Sequence, residues 1–118
     1  MGTIVHVEIT AEDPAASARF YAHAFGWATV ESPFAPGYHL AKTGPGQGID
    51  AALMSRSWQA QPAIAWIQVD DLDAARSRVV AAGGGLAGDV DEIPGQGRVC
   101  YVTDPEGTVL GIKEVARS

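Results

Sequence analysis

Two stretches of the chain carry apolar residues at helical spacing. Each follows an aspartate, Asp13 or Asp71, and each ends at a glycine, Gly26 or Gly84. The apolar positions recur every three or four residues, at Ala16, Phe20 and Ala24 and again at Leu72, Ala75, Val79 and Ala82. Aspartate is a preferred N-cap and glycine a preferred C-terminal residue, so the pattern predicts helices near residues 14–25 and 72–83.

Strand-like stretches flank both predicted helices. They read TIVHVEIT, WATVES, YHLAKT and IDAALMS around the first helix, and AIAWIQV, GLAGDVDEI, GRVCYVT and TVLGIKEV around the second. The two aspartate caps are 58 residues apart (71 − 13), and the same offset relates Gly26 to Gly84. The chain is therefore predicted to be a single α+β domain over residues 1–118. It would consist of βαβββ modules at 1–54 and 63–118, joined by a linker at 55–62.

Composition narrows the possible partners. The 118 residues include 8 Lys and Arg against 14 Asp and Glu, for a net charge of −6, with no basic cluster, so nucleic acid and anionic membranes are not expected partners. No apolar run is long enough to span a bilayer, and the N-terminal stretch lacks the pattern of a signal peptide. The single cysteine, Cys100, allows neither an intrachain disulfide nor a cysteine-based zinc site. We therefore expect a cytoplasmic protein.

The duplicated pattern resembles the vicinal oxygen chelate superfamily, which groups glyoxalases, bleomycin-resistance proteins and extradiol dioxygenases. The resemblance rests on VHVEITAEDPAASARFYAHAFGW, WIQVDDLDAARSRVVAAGGG and PGQGRVCYVTDPEGTVLGI, and it covers nearly the whole chain. It implies that the strands of both modules form an open, curved, barrel-like sheet around a cavity, with the helices outside. It also implies a homodimer, because family members of this length usually pair.

The family's metal-dependent members hold one divalent ion through side chains of the first and last strands of each module. Carried over by motif and by the 58-residue offset, these ligand positions are His6, Leu53, Ile64 and Gly111. Only His6 has a donor atom, whereas a divalent site needs several. We therefore expect no metal and no cofactor, with a site relocated to His6, Glu8 and a third group as the alternative.

Strand phase and the resemblance together predict the lining of the cavity. Alternation in VHVEIT puts His6 and Glu8 on one face, which makes them the candidate catalytic acid–base pair, although His6 could equally be a wall histidine that only forms hydrogen bonds. In YHLAKT either Tyr38 or His39 faces inward, and the pattern does not choose. Cys100 lacks a visible base partner for a nucleophilic role. The predicted ligand-binding residues are His6, Glu8, Leu53, Ile64, Trp66, Gln68 and Gly111.

Three hypotheses for the function follow. The first is that the cavity binds a small, partly aromatic or apolar organic molecule without metal, by sequestration or with cofactor-free chemistry. The second is a divalent-metal lyase, isomerase or dioxygenase with a rearranged ligand set. The third is acid–base chemistry by His6 and Glu8 alone. Fold by itself does not choose among them.

Overall fold

The computed structural model describes residues 2–33, 35–44, 46 and 48–115. The elements, in chain order, are β1 Thr3–Ala11, α1 Pro14–Phe25, β2 Ala28–Glu31, β3 His39–Lys42, β4 Asp50–Ser55, β5 Ala63–Val69, α2 Leu72–Ala81, β6 Gly85–Leu86, β7 Asp91–Ile93, β8 Gly97–Thr103 and β9 Val109–Glu114. This order confirms the predicted α+β class with two βαβββ modules. Neither of these helices is long and apolar enough to cross a membrane, a finding that covers the described residues.

Both helices begin at the predicted aspartates. Asp13 accepts a hydrogen bond from the backbone N–H of Ala16 at 3.1 Å, and Asp71 accepts one from Ala74 at 3.0 Å. Gly26 ends α1 in the left-handed region, with φ of 74°. The first helix thus has the predicted bounds, while the second ends at Ala81, two residues before the predicted end.

The second module differs from the prediction in one strand. The stretch GLAGDVDEI forms two short strands, β6 and β7, instead of one. Gly88 lies between them with φ of 110°, a left-handed conformation that interrupts the extended backbone. Both short strands pair with β8 at successive positions, so they follow the path of one broken strand and the βαβββ pattern is kept.

The chain forms two compact units, which we call the first unit (residues 6–64) and the second unit (residues 1–5 and 65–118). In the first unit the strands are ordered β2-β3-β4-β1, with β1 and β4 parallel and the other pairs antiparallel. In the second unit the order is β5-β9-β8-β6, with β5 and β9 parallel and β7 also on β8. Each unit therefore joins its first strand to its last by parallel pairing.

The core of the second unit lies between α2 and one face of its sheet. Its buried members are Val69, Leu72, Ala75, Cys100, Val102 and Ile112. Trp66 and Gly111 alternate with these core residues along β5 and β9, so they lie on the sheet face away from α2. That face of the second unit, and the face of the first unit that carries His6 and Glu8, contain the residues predicted to bind a ligand, except Leu53.

Candidate functional site

Three polar side chains of the first unit meet on one face of its sheet. The Tyr38 hydroxyl donates to Oε2 of Glu8 at 2.7 Å, and Nε2 of His6 lies 3.2 Å from the same hydroxyl. Glu8 is 2% exposed, whereas His6 and Tyr38 are half-buried. We call these residues the polar cluster. His6 and Glu8, which the alternation in β1 predicts on one face, thus both contact the same hydroxyl group.

The loop before β3 places Tyr38. Gly37 has φ of 81°, a left-handed conformation that favours glycine, and it turns the chain just before the tyrosine. The backbone N–H of Tyr38 donates to the carbonyl of Ala35 at 3.0 Å, and its own carbonyl accepts from Ser32 at 2.8 Å. The structure therefore decides between the two aromatic candidates of YHLAKT, because Tyr38 joins the cluster. His39 instead aligns with Leu53 of β4.

The prediction that Leu53 is the first-module counterpart of Gly111 is wrong by one residue. Glu8 aligns with Ala52 in the β1–β4 pair, and Trp66 aligns with Gly111 in the β5–β9 pair. The aligned residues are 44 positions apart in the first module (52 − 8) and 45 apart in the second (111 − 66). Subtracting 58 from 111 gives Leu53, but the strand pairing makes Ala52 the counterpart of Gly111. Leu53 aligns with Ile9 and lies on the face opposite Glu8.

In the second unit an indole ring occupies the space beside Gly111. A Cβ built on Gly111 would overlap atoms Cδ2, Cε2 and Cε3 of Trp66. Trp66 is 6% exposed and packs against Tyr101 with ring centroids 5.1 Å apart. The tryptophan ring therefore already fills the space that the missing side chain of Gly111 leaves. Among the described residues, the buried Nε1 of Trp66 has no hydrogen-bond partner.

The other predicted ligand residues have different degrees of burial. Ile64 is fully buried, while Gln68 is half-buried and aligns with Lys113 of β9. Nothing in these placements tests ligand binding, so the role of each residue stays a prediction. A cavity common to the other six residues stays a prediction, whereas the inclusion of Leu53 is wrong, because Leu53 lies on the face opposite Glu8.

The residues at the family's metal positions do not fit a divalent ion. The side chains of Ile64, Gly111 and the corrected position Ala52 have no donor atoms, and the ring of Trp66 covers the second-module position. In the described part of the chain, no group of three or more His, Cys, Asp or Glu residues could hold a metal ion. A divalent site requires several converging donors, and at these positions His6 alone supplies one.

A charged network in the second unit was not foreseen from the sequence. Arg98 donates to Glu114 at 3.0 Å and to Asp73 at 3.2 Å, and the pKa of Arg98 is raised chiefly by the hydrogen bond to Glu114. Glu114, 8% exposed, also accepts from the backbone N–H of Leu72 at the start of α2. The network thus fastens the end of β9 to this helix, which is a structural role.

The burial of Cys100 disfavours a nucleophilic role. The thiol is 2% exposed, and burial raises its pKa above the ordinary value, although the nearby Arg76 opposes this shift. A raised thiol pKa lowers the fraction of reactive thiolate. Arg98, two residues before Cys100 in the chain, forms hydrogen bonds to the carboxylates of Glu114 and Asp73.

The chain belongs to the Glyoxalase/Bleomycin resistance protein/Dioxygenase superfamily, whose family model matches residues 3–112. The resemblance stated from the sequence is thereby confirmed. Among curated proteins, it is 30% identical over 122 residues to the protein named "Putative glyoxylase CFP32" of Mycobacterium bovis and of Mycobacterium tuberculosis. This match covers 98% of the chain but 47% of the relative, so the chain spans about half the length of these relatives.

Solved structures support the fold assignment. The methylmalonyl-CoA epimerase from Mycobacterium tuberculosis has a TM-score of 0.71 at 20% identity, over 97% of this chain and 88% of the epimerase. A superfamily member from Vibrio splendidus 12B01 has a TM-score of 0.68 at 17% identity, over 98% of this chain and all (100%) of the other. At such identities the likeness establishes a shared fold, and function has to be argued from this chain's own residues.

Proposed function

We propose that the protein binds a small organic molecule without the help of a metal, using the polar cluster as the hydrogen-bonding end of the site. The ligand would carry an oxygen function next to an apolar or aromatic body. The observation that supports this most is the joining of His6, Tyr38 and Glu8 through one hydroxyl on the sheet face of the first unit. Small-molecule sites generally combine a few converging polar groups with an apolar lining.

The surroundings of the cluster suit such a ligand. Ala52, aligned with Glu8, is a small, fully buried apolar residue on this face. Trp58, 50% exposed, approaches the loop that carries Tyr38, because its Cη2 atom lies 4.0 Å from the position of a Cβ on Gly37. The first unit thus offers an exposed aromatic surface beside the loop that delivers a polar anchor. In the second unit, Trp66, Gln68 and Gly111 stay predicted ligand residues.

Cofactor-free acid–base chemistry is the second candidate function. One observation favours it, which is that the Tyr38 hydroxyl lies between a carboxylate and an imidazole and can pass a proton between them. The relatives named as a glyoxylase and an epimerase show that enzymes occur among similar proteins. Turnover of a bound compound, abolished by His6→Ala, would establish catalysis in addition to binding.

A thermal-shift screen tests the binding proposal. Phenol and cyclohexanol, chosen as small probes with one hydroxyl on an aromatic or apolar body, would be tested at millimolar concentration. A compound that binds the folded state raises the melting temperature by mass action. For any compound that binds, the dissociation constant should rise roughly tenfold in Tyr38→Phe, the loss expected for a ligand hydrogen bond of about 1.4 kcal/mol.

Tyr21→Phe is the matched control, since it removes a tyrosine hydroxyl from α1, outside the cluster. Its dissociation constant should equal that of the unmodified protein. The proposal would be wrong if compounds bound equally well to the unmodified protein, Tyr38→Phe and His6→Ala, because binding would then occur elsewhere.

We further propose that the protein is a homodimer. Helix α1 has no buried residue, and its side chains Phe20 and Phe25 are 58% and 64% exposed. Exposed aromatic surface of this kind is typical of association sites, and two-fold dimers are the commonest oligomers. Sedimentation equilibrium at micromolar concentration should give twice the chain mass of 12.3 kDa, and a single-chain mass would exclude the dimer.

A further inference from the structure

In the polar cluster, two atoms lie close enough to the Tyr38 hydroxyl to accept its single proton. The Tyr38 hydroxyl donates this proton to Oε2 of Glu8 at 2.7 Å, and Nε2 of His6 lies 3.2 Å from the same oxygen. A phenol has a single O–H, although its oxygen can still accept. Once the proton points at the carboxylate, a hydrogen bond with His6 requires the imidazole to be the donor.

We propose that Tyr38 is a positioning residue that holds the proton of neutral His6 on Nε2, which leaves the lone pair of the neutral ring on Nδ1. The inference deepens the proposed function and rests on it for its biological meaning. Glu8 acts through the tyrosine in this arrangement, because its carboxylate fixes the direction of the hydroxyl. The pair of His6 and Glu8 predicted from the sequence thus becomes a chain of three groups with Tyr38 in the middle.

The distances favour this direction of the hydrogen bonds. A hydroxyl that donates to an ionised carboxylate forms a short, strong bond, and 2.7 Å between Tyr38 and Glu8 is close to this range, whereas the contact with His6 is longer. If Tyr38 donated to His6 instead, the hydroxyl proton would no longer lie between the Tyr38 oxygen and Oε2 of Glu8, which are 2.7 Å apart. An ionised carboxylate cannot supply that proton.

The consequence concerns what His6 offers to a bound molecule. With Nε2 protonated, the neutral ring has its lone pair on Nδ1, and the charged ring has its additional N–H there. The neutral ring would therefore accept a hydrogen bond only at Nδ1. Replacing Tyr38 would alter this chemistry without removing the imidazole, which distinguishes a positioning residue from the acid or base itself.

Nitrogen NMR tests the proposal without any ligand. In protein labelled with ¹⁵N at histidine, the two ring nitrogens of a neutral imidazole have distinct shifts that report which one is protonated. At a pH of about 8.5, well above the ordinary histidine pKa, His6 should show a protonated Nε2 and an unprotonated Nδ1. In Tyr38→Phe the ratio of the two tautomers should fall roughly fivefold, which corresponds to a hydrogen bond of about 1 kcal/mol.

Glu8→Gln is the second variant. An amide can donate to the tyrosine oxygen as well as accept from it, so the Tyr38 O–H is no longer held toward residue 8. It should shift the tautomer ratio in the same sense. His23 and His39 are internal controls, and Tyr21→Phe controls for loss of a tyrosine hydroxyl elsewhere.

A wild-type His6 protonated on Nδ1 would overturn the proposal, as would a tautomer ratio that Tyr38→Phe leaves unchanged. The wild-type spectrum alone can refute it if neither variant folds. Because the measurement uses the unliganded protein, failure of the ligand screen would refute the proposed function separately.

Discussion

Replacing Gly111 by alanine should destabilise the protein through a single contact. The added Cβ would overlap the indole ring of Trp66, which is 6% exposed and has little room to move. Insertion of a methyl group into packed surroundings typically costs about 1–3 kcal/mol. Glycine within a strand is itself unfavourable by roughly 0.5–1 kcal/mol relative to alanine, so without the ring the same change should stabilise.

The two effects predict a coupling free energy. The free-energy change of Gly111→Ala in the natural sequence and in a Trp66→Ala background should differ by roughly 1.5–4 kcal/mol, the sum of the two effects. Urea unfolding followed by circular dichroism measures this difference without using tryptophan as the probe. Gly48→Ala is the control, because a Cβ there would make only an ordinary contact, 3.8 Å from Thr43.

A neutral Gly111→Ala in the natural sequence, or an equal cost in both backgrounds, would contradict this prediction. Either result would mean that the ring of Trp66 does not occupy the space beside residue 111. The same overlap applies to Gly111→Glu. A loss of ligand binding in that variant therefore has to be compared with its stability before it is attributed to the introduced charge.

Three further predictions concern charged and titratable groups. Glu114→Gln should lower the urea midpoint, because it removes the charge that pairs with Arg98 and weakens the hydrogen bond to the start of α2. Cys100 should react slowly with iodoacetamide at pH 8 and rapidly in urea, since burial raises its thiol pKa; equal rates would contradict this. The Asp50 carboxyl has its pKa held below the ordinary 3.8, mainly by the backbone N–H of Thr43. The ionised Asp50 carboxylate therefore stabilises the protein at pH values above the pKa that this group has in the unfolded chain. This contribution is lost as the pH falls through the lower pKa that the group has in the folded protein. The stability difference from Asp50→Asn should accordingly shrink in acid, and a difference that grew would have the wrong sign.

The sequence predicted those parts of the fold that depend on neighbouring residues. Asp13 and Asp71 cap helices because each acts on a backbone N–H three residues later. The predicted helix bounds accordingly hold to within two residues. The alternation that put His6 and Glu8 on one face is also local to a single strand.

The errors arose where distant segments meet. The counterpart of Gly111 was misplaced by one residue because the loops between paired strands differ in length between the modules, and a constant offset cannot register this. Tyr38 could not be chosen over His39 because the choice depends on which residue of β4 each one faces. A signal for the contact with Trp66 was present, since a glycine within a strand often marks a close approach by another group.

Metal analysis of the purified protein tests the central claim most directly. The protein would be purified and dialysed without a chelator, and its zinc, nickel, manganese and iron measured by mass spectrometry alongside the His6→Ala variant. Because Ala52, Ile64 and Gly111 have no donor atoms, the account predicts far less than one equivalent of any divalent metal per chain, with no difference between the two proteins. About one equivalent of a single metal, lost in His6→Ala, would contradict the account and establish a metal site built around this histidine.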